Sequence, residues 1–201
     1  MRKSRRLSGL LVAASAAALL LATACPAVAG AATQRRRYSP FGATGAAVPS
    51  LHIASAFGGD CNTGSFIVRG DVYRCFAGNF IRDPCYFDAL ASQQLDRDVV
   101  LCVGSPWARS AVRLRADTLN HSSPLPTGAP PWALELASGP RCLFVEGASN
   151  VVGGRRLNYF CDHNRFVFGV PDTSHATWRI GVARDFNGRG IRTAAIRVAW
   201  R

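Results

Sequence analysis

Cysteine, histidine and arginine are the side chains in this 201-residue chain whose spacing bears most on its chemistry. Cys61, Cys75, Cys85, Cys102, Cys142 and Cys161 follow an apolar leader, and Cys25 lies inside it. No Cys-x-x-Cys occurs and no two histidines stand at ligand spacing, so neither a structural zinc nor any other metal or cofactor is expected. An even set of cysteines behind an export signal reads instead as three disulfides formed in an oxidising compartment. Cys142 and Cys161 flank a strand–turn–strand pattern and are expected to pair. The other four allow three pairings. Cys61–Cys75 with Cys85–Cys102 joins successive predicted strands, and Cys75–Cys85 with Cys61–Cys102 stays open beside it.

Histidine is the natural candidate for acid–base work. In Cys161-Asp162-His163-Asn164 the carboxylate could orient His163, and His175 closes the stretch Pro171-Asp172-Thr173-Ser174-His175. Both stretches also have the composition of ordinary turns, and the turn is the favoured reading. There is no Gly-x-Ser-x-Gly elbow, no phosphate-binding glycine loop and no recognisable acid pair, Glu135 and Glu146 being the two glutamates. The expected function is therefore a non-catalytic binding or structural module. The alternative is a small secreted hydrolase whose site is assembled from distant loops, using His163 or His175 with an aspartate such as Asp162.

Basic residues number 24 against 12 acids, for a formal net charge of +12. The lone lysine, Lys3, and three arginines sit in the first six residues, so everything basic downstream is arginine. A GC-rich genome accounts for some of that preference. The rest has a physical meaning, since arginine grips phosphate and carboxylate with two parallel hydrogen bonds. Arg113, Arg115, Arg179 and Arg197 fall on the outward positions of predicted strands, with Arg155 and Arg156 in a nearby hairpin. These six are the candidate polyanion-binding set. The partner classes they imply are an anionic wall polymer, a phospholipid surface or an envelope protein, with nucleic acid disfavoured.

The elements that must hold these side chains read as strands. Ser110-Ala111-Val112-Arg113-Leu114-Arg115, Trp178-Arg179-Ile180-Gly181-Val182 and Ile196-Arg197-Val198-Ala199-Trp200-Arg201 alternate apolar with polar residues, as half-buried antiparallel strands do. Further short strands are expected at 66–69, 72–76, 99–103, 132–136, 141–146, 157–161 and 166–168. Phe87 to Leu95 is the one stretch suited to a short helix, and Ser122 to Pro131 reads as an extended proline-rich connector. The predicted fold is all-β or mainly β. It is a single antiparallel sandwich- or barrel-like domain over 51–201 with one shared core, three disulfides and one short helix. Residues 30–50, rich in Arg, Gly, Ala and Pro, read as a flexible basic arm. Trp178 and Trp200 are expected in the core, whereas Trp107 and Trp132 follow prolines and are candidates for partial exposure.

Residues 1–29 read as a signal peptide: a basic start, an apolar run of about 18 residues and the small-x-small site Ala27-Val28-Ala29. Cleavage near Ala29 leaves no further hydrophobic span, so the mature chain is expected to be secreted or held at the envelope. Leu21-Ala22-Thr23-Ala24-Cys25 partly matches a bacterial lipid-attachment box, with lipid-anchored Cys25 as the minor reading. Pro26 and Ala22 both argue against it. Ser4-Arg5-Arg6 resembles a twin-arginine start, interrupted by Ser8 and Gly9. Downstream, Tyr73-Arg74-Cys75, Asp83-Pro84-Cys85, Leu101-Cys102, Pro106-Trp107, Pro131-Trp132-Ala133-Leu134-Glu135-Leu136-Ala137 and Leu157-Asn158-Tyr159-Phe160-Cys161 resemble a group of secreted actinobacterial proteins without an assigned function. The resemblance spans roughly Cys61 to Trp200. It implies a disulfide-bonded extracellular or envelope domain and brings no catalytic residues.

Overall fold

Alternation of branched and aromatic residues with arginine demands one buried face per strand, and the chain meets that demand by closing its sheets. The computed structural model describes residues 31–56, 58–67, 69–120, 129–145 and 149–201. The leader with Cys25 and most of the Ser122–Pro131 connector lie outside these residues. In chain order the strands are β1 (Gln34–Arg36), β2 (His52–Ser55), β3 (Gly59–Gly64), β4 (Val72–Ala77), β5 (Phe80–Phe87), β6 (Val99–Val103) and β7 (Ser110–Leu119). They continue with β8 (Ala133–Leu136), β9 (Arg141–Phe144), β10 (Val151–Val152), β11 (Arg155–Cys161), β12 (Arg165–Asp172), β13 (Arg179–Ala183) and β14 (Arg192–Trp200). A single short helix, α1 (Ala89–Leu95), sits between β5 and β6. No helix among the described residues is long and apolar enough to cross a membrane.

The fold is mainly β, and its sheets are barrel-like. Strands β3, β4, β5, β6 and β7 pair in that order, and β7 closes the ring by pairing β3. Strands β14, β13, β12, β11, β9 and β8 form a second ring, closed by β14 against β8. Closure satisfies the backbone groups that a free sheet edge would expose. Most pairings are antiparallel as expected, but β1–β14, β2–β7 and β3–β7 run parallel.

Each ring is narrow enough for its own side chains to fill it. The first interior holds Cys61, Cys75, Cys85, Cys102, Tyr73 and Leu114; the second holds Leu134, Cys142, Tyr159, Trp178, Ile180 and Ile196. A third cluster joins the halves, with Val72 and Tyr86 from the first packed against Trp132 and Ala133 of the second. The expected single core is thus two barrel interiors and a seam. Trp132 belongs to that seam at 2% exposure, so its partial exposure is not found.

Covalent ties run inside the barrels: Cys61–Cys75 joins β3 to β4, Cys85–Cys102 joins β5 to β6, and Cys142–Cys161 joins β9 to β11. Cys85 faces Cys102, and Cys142 faces Cys161, directly across the ladder. The structure therefore selects the pairing of successive strands over the Cys75–Cys85 alternative.

Three local expectations change. The segment over 30–50 is more than a loose arm: β1 pairs β14, and the Tyr38 ring packs edge-on at 5.7 Å from Trp132 and 5.8 Å from Tyr86. Among the described residues of 66–69 there is no strand; the strand lies earlier, at β3. Its sequence, Gly-Asp-Cys-Asn-Thr-Gly, has little intrinsic β preference and is held extended by partners on both sides. The helix starts two residues later than expected because Phe87 stays in β5 and Asp88 caps it, accepting the Ala91 N–H at 3.0 Å.

Candidate functional site

Along β13, Trp178, Ile180 and Val182 turn into the second barrel, which sends Arg179, Gly181 and Ala183 outward. On the neighbouring strands Leu157 and Phe168 also face out and pack with Ala183 into a small buried cluster on the barrel's outer wall. Above that wall runs an open groove of about 890 Å³, lined by Arg155, Arg179, His175, Asp172, Val170 and Thr193 among others. Gly181 keeps its floor low. A Cβ there would press on Ile191 Cγ2 at 3.0 Å and the Phe168 carbonyl at 3.3 Å, and would come into contact with Arg155 Nη1 at 3.4 Å.

A second groove of about 410 Å³ adjoins the first at Thr193 and is lined by Arg165, Arg184, Arg189 and Arg192. Six arginines thus line two contiguous depressions. Arg155, Arg165, Arg179, Arg184 and Arg192 make no ion pair and no side-chain hydrogen bond among the described residues. Two acids accompany them. Asp185 lies 3.8 Å from Arg189. Asp172 accepts the Ser174 hydroxyl at 2.7 Å and its N–H at 3.0 Å, and these bonds hold its carboxyl below the ordinary range. The face therefore carries a surplus of guanidinium donors whose bidentate geometry is open to an external anion.

The six arginines singled out in the sequence divide into three groups. Arg155 and Arg179 meet in the larger groove. Arg115 lies on the first barrel, beside Arg113 in a smaller hollow of about 330 Å³. The remaining three serve the fold. Arg113 grips the buried helix-capping carboxylate of Asp88 at 3.0 Å. Arg197 donates to Glu135 Oε2 at 2.7 Å, and Arg156 donates to Asn158 Oδ1 at 2.8 Å. Arg165, Arg184, Arg189 and Arg192 were missed. Arg165 and Arg192 begin their strands, and Arg184 and Arg189 sit in the β13–β14 connection, outside any alternating run.

Glu135 is another site that spacing did not reveal. Its carboxylate, 10% exposed, accepts Trp107 Nε1 at 2.7 Å as well as Arg197, while Arg141 stacks over the Trp107 ring at 5.2 Å. Trp107 comes from the β6–β7 connection of the first barrel, so this buried acid ties the two barrels together.

Of the candidate catalytic residues, Asp162 and His163 lie side by side, and His175 stands apart from them. His163 and Asn164 occupy the left-handed region at φ 55° and 51°, in the three-residue turn that joins β11 to β12. His163 is 74% exposed, with Nδ1 3.1 Å from Asp162 Oδ1, and that same oxygen accepts the Arg141 N–H at 2.8 Å. His175 lies past the other end of β12, whose eight residues span roughly 25 Å at the rise of a strand. Among the described residues, the close grouping of metal-type ligands is Cys75, Cys85 and Cys102, whose sulfurs are already consumed in disulfides. Comparison of the chain with family models, with curated proteins and with solved structures finds no match.

Proposed function

We propose that this protein is a secreted or envelope-held, non-catalytic module that binds an anionic envelope component through the arginine-lined outer face of its second barrel. The observation that carries this reading is the pair of contiguous grooves lined by six arginines, five of them without an ion pair or side-chain hydrogen bond among the described residues. A guanidinium left unpaired at a protein surface is a donor set in search of phosphate or carboxylate. The length of the depression, from Arg155 and Arg179 across Thr193 to Arg165 and Arg192, suits a repeating anion better than a single small ligand. The export signature of the first 29 residues, the three disulfides and the resemblance to secreted actinobacterial proteins support the compartment.

Binding of the purified protein to a soluble polyanion such as polyphosphate, measured by titration at rising salt, tests this. Each exposed arginine near an anionic surface contributes on the order of 1 kcal/mol, so Arg155→Gln with Arg179→Gln is expected to weaken binding roughly 30-fold. Arg115→Gln, on the other barrel, is expected to leave it unchanged. Affinity that does not fall as salt screens the charges, or that ignores the double substitution, would end the proposal.

A further inference from the structure

The same face carries hydrocarbon that a polymer of charged groups has no use for. Phe160 and Phe186 are 45% and 40% exposed, and Val170 reaches 63%. The Phe160 and Phe186 rings lie near-parallel with centroids 6.3 Å apart, and Phe166 abuts each of them edge-on at 5.8 Å. Their hydrocarbon forms one ridge instead of separate flat platforms for sugar rings. The ridge is anchored from below. Gly188, in the left-handed region at φ 72°, seats the β13–β14 connection so closely on the wall that a Cβ there would meet Val152 Cγ1 at 2.8 Å and the Phe168 ring at 3.3 Å. Val170 lines the larger groove together with Arg155 and Arg179, and Arg165 at the start of β12 is the chain neighbour of Phe166. Exposed hydrocarbon and guanidinium groups are thus mixed at the two ends of β12: Val170 beside Arg155 and Arg179 at one end, and Phe160, Phe166 and Phe186 at the end that Arg165 begins.

Such mixing matches the boundary layer of a lipid leaflet. Apolar side chains enter the acyl boundary there, while arginine keeps its head at the phosphate level and lays its stem along the hydrocarbon. We infer that the anionic partner of this face is a phospholipid surface: Arg155, Arg165, Arg179 and Arg192 engage lipid phosphates, and Phe160 and Phe186 insert between the headgroups. This rests on the polyanion reading and names its ligand. The charge complementarity is the surplus of arginine over the two acids of the grooves. A leaflet rich in anionic headgroups adds its surface potential to that attraction.

Co-sedimentation of the purified protein with phosphatidylglycerol-containing vesicles, and with pure phosphatidylcholine vesicles, tests the inference beside the polyphosphate titration. The wild-type protein is expected to bind the anionic vesicles and not the neutral ones. Phe160→Ser with Phe186→Ser is expected to weaken vesicle binding about ten-fold, the effect of losing partial burial of two aromatic rings, while polyphosphate binding stays at the wild-type level. Phe186→Leu, which keeps an apolar side chain at that position, is expected to retain vesicle binding. Wild-type protein that binds polyphosphate but not the vesicles would overturn the lipid assignment and leave the polyanion face standing. Equal vesicle binding by the double serine variant would do the same. Binding to neither would remove both.

Discussion

Burial pushes the Asp83 carboxyl up to about 6, even though the Ser65 hydroxyl, Arg74 at 2.9 Å and the Phe66 N–H all favour its ionised form. The folded chain therefore holds this proton more tightly than the unfolded chain, whose carboxyl titrates near its ordinary value of 3.8. The contribution of Asp83 to native stability is fully present while it is protonated and is lost as pH rises from about 4 to about 6, by an amount on the order of 3 kcal/mol. Thermal midpoints recorded across that window should fall in the wild-type protein, and the part of the fall due to this group should vanish in Asp83→Asn. Parallel pH profiles for the two proteins would refute the assignment. In the sequence Asp83 is one half of an Asp-Pro pair with nothing to mark it as buried. Only the packing of β4, β5 and the segment after β3 around it reveals a buried acid. Glu135 was invisible for the same reason, since Trp107, Arg141 and Arg197 approach it from three separate parts of the chain.

The β11–β12 turn places His163 beside Asp162 and fixes its backbone in the left-handed region. Holding a non-glycine residue at φ near 55° costs on the order of 1 kcal/mol, and glycine escapes that cost while losing more freedom on folding. His163→Gly is accordingly expected to leave stability within about 1 kcal/mol of wild type. A β-branched residue is poorly suited to the same conformation, so His163→Val is expected to lower stability by about 1–2 kcal/mol. Chemical denaturation of the two variants checks this; a valine variant as stable as the glycine one would show that the turn imposes no such constraint. Elements with strict alternation, β7, β13 and β14, were legible because period two needs no partner to be seen. β3 and β1 were not: their residues carry weak local preference, and only the strands beside them make them extended.

The molecule as a whole is two small barrels fastened from within. A barrel of five or six strands has little room for a large apolar core, and sulfur bridges occupy much of it. In the chain-entropy model, closing loops separated by 14, 17 and 19 residues contributes about 3 kcal/mol each, together comparable to the whole net stability of an ordinary domain. Reduction under mild denaturation is therefore expected to unfold both barrels. A reduced protein with an unchanged melting temperature would contradict this account.

Sequence alone was enough for the presence of three disulfides, the strand-dominated architecture, the short helix and the abundance of outward arginine, because each is written in residue type and local period, whereas the fold chose the pairing of the first four cysteines. Which arginines act together was decided by the fold. Arg113 and Arg197 look no different from Arg179 along their strands, yet closure of the barrels buries an acid beside each of the first two and leaves Arg179 facing an open groove. Electrostatic pairing depends on distances between residues far apart in the chain, and those distances exist only once the sheets have closed.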